Sequence, residues 1–187
     1  MVHSFVAMGV IAIEWVVIGY SLAFGTGNWF IGNLEHVFLR DINLYSVTGT
    51  IPTYAFIAFQ GMFAILTPAL ISGAIVDRIK FKSYIAFILL WGIIVYAPIC
   101  HWVWSGGFLT GKALDFAGGT VVHISSGISS LAIWTYLGKR RGYGIDSIKP
   151  HNGTFTLIDA GILWFGWFGF NAGSALATNE VAAVAFP

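Results

Sequence analysis

Residues 52–76 read PTYAFIAFQGMFAILTPALISGAIV, twenty-five positions without one acidic or basic side chain. A helix rises about 1.5 Å per residue, and a hydrocarbon core of about 30 Å takes about 20 helical residues. The stretch is therefore long enough to cross a bilayer. It does not alternate polar and apolar side chains, as the ten-residue or so strands of an outer-membrane barrel do. Four more runs of the same kind lie at 5–24, 84–104, 118–137 and 155–175. A further apolar stretch starts at Asn179 and is still running at Pro187. The expected fold is an all-α integral membrane protein, a polytopic helix bundle of five spans plus the start of a sixth, forming one transmembrane domain over 1–187.

Composition supports lipid as the solvent. Hydrophobic residues make up 57% of the 187 and charged residues 9%, against about 25% charged in soluble domains; mean hydropathy is +0.81. A net charge of +1 offers no basic field for nucleic acid and no polybasic lipid-binding segment. Cys100, the single cysteine, has no partner for a disulfide or a metal motif and reads as apolar filler. The N-terminus lacks the basic n-region and small-residue cleavage pattern of a signal peptide, so the first run is expected to remain. No paired carboxylates, metal cluster, nucleophile arrangement or phosphate-binding glycine loop marks an enzyme, and no cofactor is expected.

The segments between the runs alternate in charge. Arg78, Lys80 and Lys82 occupy the second and Lys139, Arg140, Arg141 and Lys149 the fourth, whereas the first and third hold only Arg40 and Lys112. By the positive-inside rule the second and fourth are cytoplasmic, and the first span runs outward. Gly169 and Gly173, like Ser126 and Ser130, sit at the spacing that lets helices approach closely in lipid.

Ionisable residues at membrane depth require a partner, a cavity or a pore. His123 falls about 8 Å inside the fourth run at 1.5 Å per residue, among Gly119, Ser126 and Gly127. It reads either as a histidine satisfied by one neighbouring hydroxyl or carbonyl, or as a pore-lining base exchanging a proton near neutral pH. Asp115 precedes that helix, where a carboxylate caps backbone N–H groups; the same charge near an outer mouth also favours an arriving cation. Glu14, Gln60, Asp159 and Asn171 read as structural, with Glu14 and Asp159 either paired or facing a subunit boundary. Trp102 and Trp104 suit an interfacial belt, although an aromatic face beside an acidic mouth also binds small cations, and Phe63 and Phe170 deeper in could close a pore to hydrated ions.

Four stretches, in order, resemble the ammonium transporters of the Amt/Mep/Rhesus family: GYSLAFG at 19–25, FQGMF at 59–63, DFAGGTVVH at 115–123 and WFGFNAGS at 167–174. The resemblance extends from that family's second helix to the start of its seventh. It implies a multi-pass plasma-membrane protein that is a homotrimer with one pore per subunit, each subunit built of eleven helices with two inverted five-helix repeats. The substrate implied is ammonium or ammonia, with methylammonium as an analogue, and a cytoplasmic PII-type regulator is an implied partner. Trp104 and Ser174 resemble the outer recruitment site, Phe63 and Phe170 the stacked gate below it, and Asp115 the acidic residue supporting recruitment and proton release. His123 resembles the first of two pore histidines, with Gln60 also expected along the pore; the second histidine has no counterpart here. Trp104 and Ser174 favour the Amt branch, and Ser105 departs from the glycine of many relatives. Two alternatives share the resemblance: a transporter-like sensor and a non-transporting regulatory membrane subunit.

Overall fold

The computed structural model describes residues 2–185, and helix dominates them. Helix α1 spans Val2–Phe24 and widens into a π turn at Trp15–Gly19; α2 is Thr53–Ile75; α3 is Phe81–Trp104, with a π turn at Gly92–Tyr96. These three are long and apolar enough to cross a membrane. A π turn at Gly119–Ile124 leads into Ser125–Leu137, together α4; α5 is Gly153–Phe170 and α6 the short Glu180–Val184, capped by the Asn179 side chain. The closing apolar stretch of the sequence thus contains a short helix, and its last two residues lie outside the described ones.

Helix α2 is the central element, packed against α1 on one side and α4 on the other, while α1 also packs on α3. Side chains repeating every fourth residue form these seams: Ala7 and Ile11 on α1, Ile71 and Ile75 on α2, Tyr84 and Ile88 on α3, all nearly inaccessible. Equally apolar side chains such as Phe5, Ile13, Met62 and Ile94 point outward. In lipid, inside and outside differ in packing rather than polarity, so small residues set the approach. At Gly61 a Cβ would stand 2.9 Å from Trp15 Cδ1; its absence lets the indole lie on α2, where Trp15 Nε1 donates to the Ile57 carbonyl at 3.0 Å.

The two basic segments meet at one end of the bundle, where Arg140 Nη2 pairs with Asp77 Oδ2 at 2.7 Å. At the other end Trp102 Nε1 donates to the Phe30 carbonyl at 2.6 Å and Phe108 N–H to Trp29 at 3.1 Å. His101 fastens this end: Nδ1 lies 3.0 Å from the Ala23 carbonyl and Nε2 2.8 Å from that of Asn28. The segment between α1 and α2 also carries a two-residue antiparallel pair, β1 Val47–Thr48 with β2 Ile51–Pro52, which the apolar pattern did not foreshadow.

The fifth run departs from the expected continuous helix over 155–175. Helix α5 ends at Phe170, the chain tightens into a 3-10 turn at Ala172–Ala175, and Leu176 takes φ 51°. Asn, Gly and Ser are weak helix formers, and Ser174 Oγ donates to the Phe170 carbonyl at 2.7 Å, satisfying a group that the helix end leaves open. Gly169 and Gly173 therefore do not share a helix face. Instead a Cβ on Gly173 would meet Phe59 at 3.2 Å. Glu14 and Asp159 do not pair either, since Glu14 is buried within the bundle and Asp159 is exposed on α5.

Candidate functional site

Asp115 organises the site from the backbone outward. Its Oδ1 accepts the N–H groups of Gly118 at 2.6 Å and Gly119 at 2.9 Å, and Oδ2 those of Thr120 at 2.8 Å and Val121 at 2.9 Å. Four donors that the start of α4 would leave open are thus satisfied by one carboxylate. Gly118 makes this wrap possible with φ 96°, a left-handed conformation costly for residues with a Cβ. A Cβ there would also stand 2.8 Å from Val122 Cγ2 and 3.5 Å from Phe63.

The same residue positions the neighbouring indole. Trp104 Nε1 donates to the Asp115 backbone carbonyl at 2.9 Å, so the ring is held by its polar edge. Phe63 meets Trp104 edge-on, with centroids 5.6 Å apart at 80°. Phe63 then meets Phe170 at 4.9 Å and 44°, a tilted contact. His123 lies beyond, 6.1 Å from Phe170. The rings follow the order Trp104, Phe63, Phe170, His123.

A cavity of about 260 Å³ opens at the Trp104 end, lined by Trp104, Asp115, Ser174, Gln60 and Phe63 with Phe24, Phe56, Phe59, Phe116 and Leu176. Five of the seven residues singled out from the sequence thus meet at one cavity, and Phe170 and His123 continue from it. The Ser174 hydroxyl spends its hydrogen on Phe170, leaving oxygen lone pairs as acceptors. Gln60 Oε1 is buried without a hydrogen-bond partner among the described residues. Among the described residues, no lysine or arginine lines the cavity. Aromatic faces and neutral acceptors suit a small cation carrying several N–H donors.

The His123 imidazole is exposed on the face of α4, and the Ser126 hydroxyl bonds the His123 backbone carbonyl, not the ring. Among the described residues the ring has no hydrogen-bond partner. Phe24, Phe56, Phe59 and Phe116 escaped the sequence reading. Four of the lining residues share a signal: Phe56, Phe59, Gln60 and Phe63 recur at the spacing of one α2 face.

The sequence model of the Ammonium Transporter Family matches residues 1–186. The chain belongs to the ammonium transporter family. Among relatives of this family, the ammonium transporter of Bacillus subtilis is 46% identical over 187 residues, covering 98% of this chain and 46% of the relative. That of Aquifex aeolicus is 48% identical over 183 residues, covering 96% of this chain and 43% of its own length. The crystal structure of Candida albicans Mep2 superposes with a TM-score of 0.88 at 37% identity, over 97% of this chain and 42% of Mep2. A solved structure titled Sensor Amt Protein gives 0.86 at 28% identity, over 99% of this chain and 48% of that one. The chain thus spans less than half the length of these relatives. This ammonium transporter family chain is a multi-pass protein of the cell membrane, and the matched relatives are transporters by name rather than enzymes.

Proposed function

We propose that the aromatic cavity beside Asp115 recruits ammonium at the outer mouth of a transport pore. The observation carrying this reading is the convergence of Trp104, Ser174 with its free lone pairs, and Gln60 on one cavity that, among the described residues, has no lysine or arginine in its lining. Ammonium binds by cation–π contact with Trp104, worth about 0.5–2 kcal/mol, and donates N–H bonds to Ser174. The Asp115 charge, spread over four amide donors, adds an attractive field without occupying the cavity.

Beyond the cavity the Phe63 and Phe170 rings close at 4.9 Å. An ammonium-sized ion stripped of water and placed in a low-dielectric passage faces an idealised cost of about 20 kcal/mol. The cation therefore gives up a proton at the mouth, neutral ammonia passes the phenylalanines, and His123 returns or relays a proton beyond them. In this reading α4 and α5 are membrane spans, three copies of the protein assemble with one pore each, and a PII-type protein regulates the cytoplasmic face.

The test is methylammonium uptake by the full-length protein in cells lacking their own transporters. Trp104→Leu and Ser174→Ala are expected to raise the half-saturating concentration, and His123→Ala to change charge movement and ion selectivity. Wild-type behaviour in all three variants refutes the reading. The likeness to the Sensor Amt Protein supports a second reading, in which the same cavity senses ammonium and shifts a conformational equilibrium. Binding with no uptake favours the sensor; neither binding nor uptake by a folded, assembled protein favours a regulatory subunit. The reading throughout is transport or sensing, not catalysis.

A further inference from the structure

Away from the cavity, the least satisfied polar groups cluster halfway along α1 and α3. Glu14 is 7% exposed, and its Oε1 has no hydrogen-bond partner among the described residues. The carboxyl sits between two glycines: a Cβ on Gly92 would stand 2.8 Å from Oε2, and one on Gly19 3.2 Å from Oε1. Both glycines belong to the π turns Trp15–Gly19 and Gly92–Tyr96, so both helices are widened at the level of this one carboxyl. π turns inside α-helices occur frequently at functional sites.

Tyr96 is 2% exposed, with its hydroxyl facing the Cys100 thiol one turn along α3. It is within electrostatic reach of Glu14, Cys100 and Asp115. Gly92, Tyr96, Cys100 and Trp104 recur at intervals of four along α3, which places them on one face. That face begins at the Glu14 carboxyl and ends where Trp104 bonds Asp115. At about 1.5 Å per residue it runs for roughly 18 Å.

A carboxyl with one oxygen, Oε1, buried and met by no donor among the described residues takes a group that brings its own hydrogen. We propose that Glu14 is a proton-binding site in the bundle interior, linked to the candidate cavity by the Tyr96–Cys100 face of α3. Binding forms an O–H bond on the Glu14 carboxylate as an O–H bond of hydronium breaks in the water at the Asp115 end, leaving a neutral water there. The occupied carboxyl then offers a donor as well as an acceptor to Tyr96, its neighbour on α3. This site differs from the route past Phe63, Phe170 and His123, because it lies behind the aromatic wall, between α1 and α3.

Infrared spectroscopy of the full-length protein in lipid vesicles tests this without requiring transport. Wild type is expected to show a protonated-carboxyl C=O band that Glu14→Gln loses and Tyr96→Phe shifts, with helix content and assembly size unchanged. Identical spectra for wild type and Glu14→Gln overturn the proton site, and an unshifted band in Tyr96→Phe overturns the link. Should Glu14→Gln fail to fold, wild type alone decides: a lipid-soluble carbodiimide, which reacts with protonated carboxyls, is expected to leave its adduct on Glu14. Adducts on other carboxyls with none on Glu14 overturn the proposal. A protein that passes these tests yet takes up no methylammonium refutes the transport reading alone.

Discussion

Replacing Asp115 with Asn changes few atoms and separates its structural role from its charge. The carboxylate accepts four backbone N–H groups, two on each oxygen. An amide keeps one acceptor oxygen, enough for two of them, and turns its NH2 toward the other two. Each donor left facing a donor costs about 1–3 kcal/mol when buried. The Gly119 amide is exposed and the other three are only partly buried, which places the pair at roughly 2–4 kcal/mol, including the lost charge at the helix start. That cost is local to the first turn of α4. Amide hydrogen exchange at 118–121 is therefore expected to accelerate by about 30- to 700-fold, at tenfold per 1.4 kcal/mol. Asp115→Ala, which keeps no acceptor, is expected to exchange faster still. Exchange in Asp115→Asn within threefold or so of wild type would show that the four bonds contribute little, and the cap argument would fail.

Three further outcomes follow from single residues. Gly118→Ala places a Cβ at φ 96° and 2.8 Å from Val122 Cγ2, costing about 1–2 kcal/mol for the conformation alone; stability in reversible detergent unfolding equal to wild type refutes it. His101→Phe removes the ring from between the Ala23 and Asn28 carbonyls, and since a neutral imidazole carries one N–H, one of the two loses its donor at about 1–3 kcal/mol; protease cutting within 25–35 is expected to rise, and an unchanged digestion pattern counts against the clamp. The backbone N–H of Thr26, then the Asn33 side chain, hold the exposed Glu35 carboxyl below its ordinary 4.5. Its depressed value means that its contribution to this segment is complete above pH 4.5 and disappears as pH falls through the lowered value. The Thr26 amide resonance should track that loss and should stop doing so in Glu35→Gln; the same acid response in both proteins refutes the assignment.

Much of the architecture was legible because membrane helices answer to composition summed along a stretch. Residues 52–76 lack charge throughout, and α2 occupies Thr53–Ile75. The two basic segments share one end of the bundle because alternating charge marks alternating sides. Helix ends were less legible, since the 167–174 motif is apolar enough to continue while local hydrogen bonding stops α5 at Phe170. The short pairing of β1 with β2 depends on a turn too small for a hydropathy pattern to register.

Solvent, helical class, family and the identity of the polar and aromatic residues at membrane depth all lie in the amino-acid order, because each depends on residue identity and position along the chain. Packing of the helices selected which of the sixteen phenylalanines face the cavity, since facing depends on rotation about helix axes and on π turns that neighbouring helices stabilise. It also decided that the Ser174 hydroxyl spends its hydrogen on Phe170, that Asp115 gathers four amides, and that Glu14 lies without a donor between two glycines. Those facts belong to hydrogen-bond direction and close packing, which arise only when distant parts of the chain are brought within a few ångströms of one another.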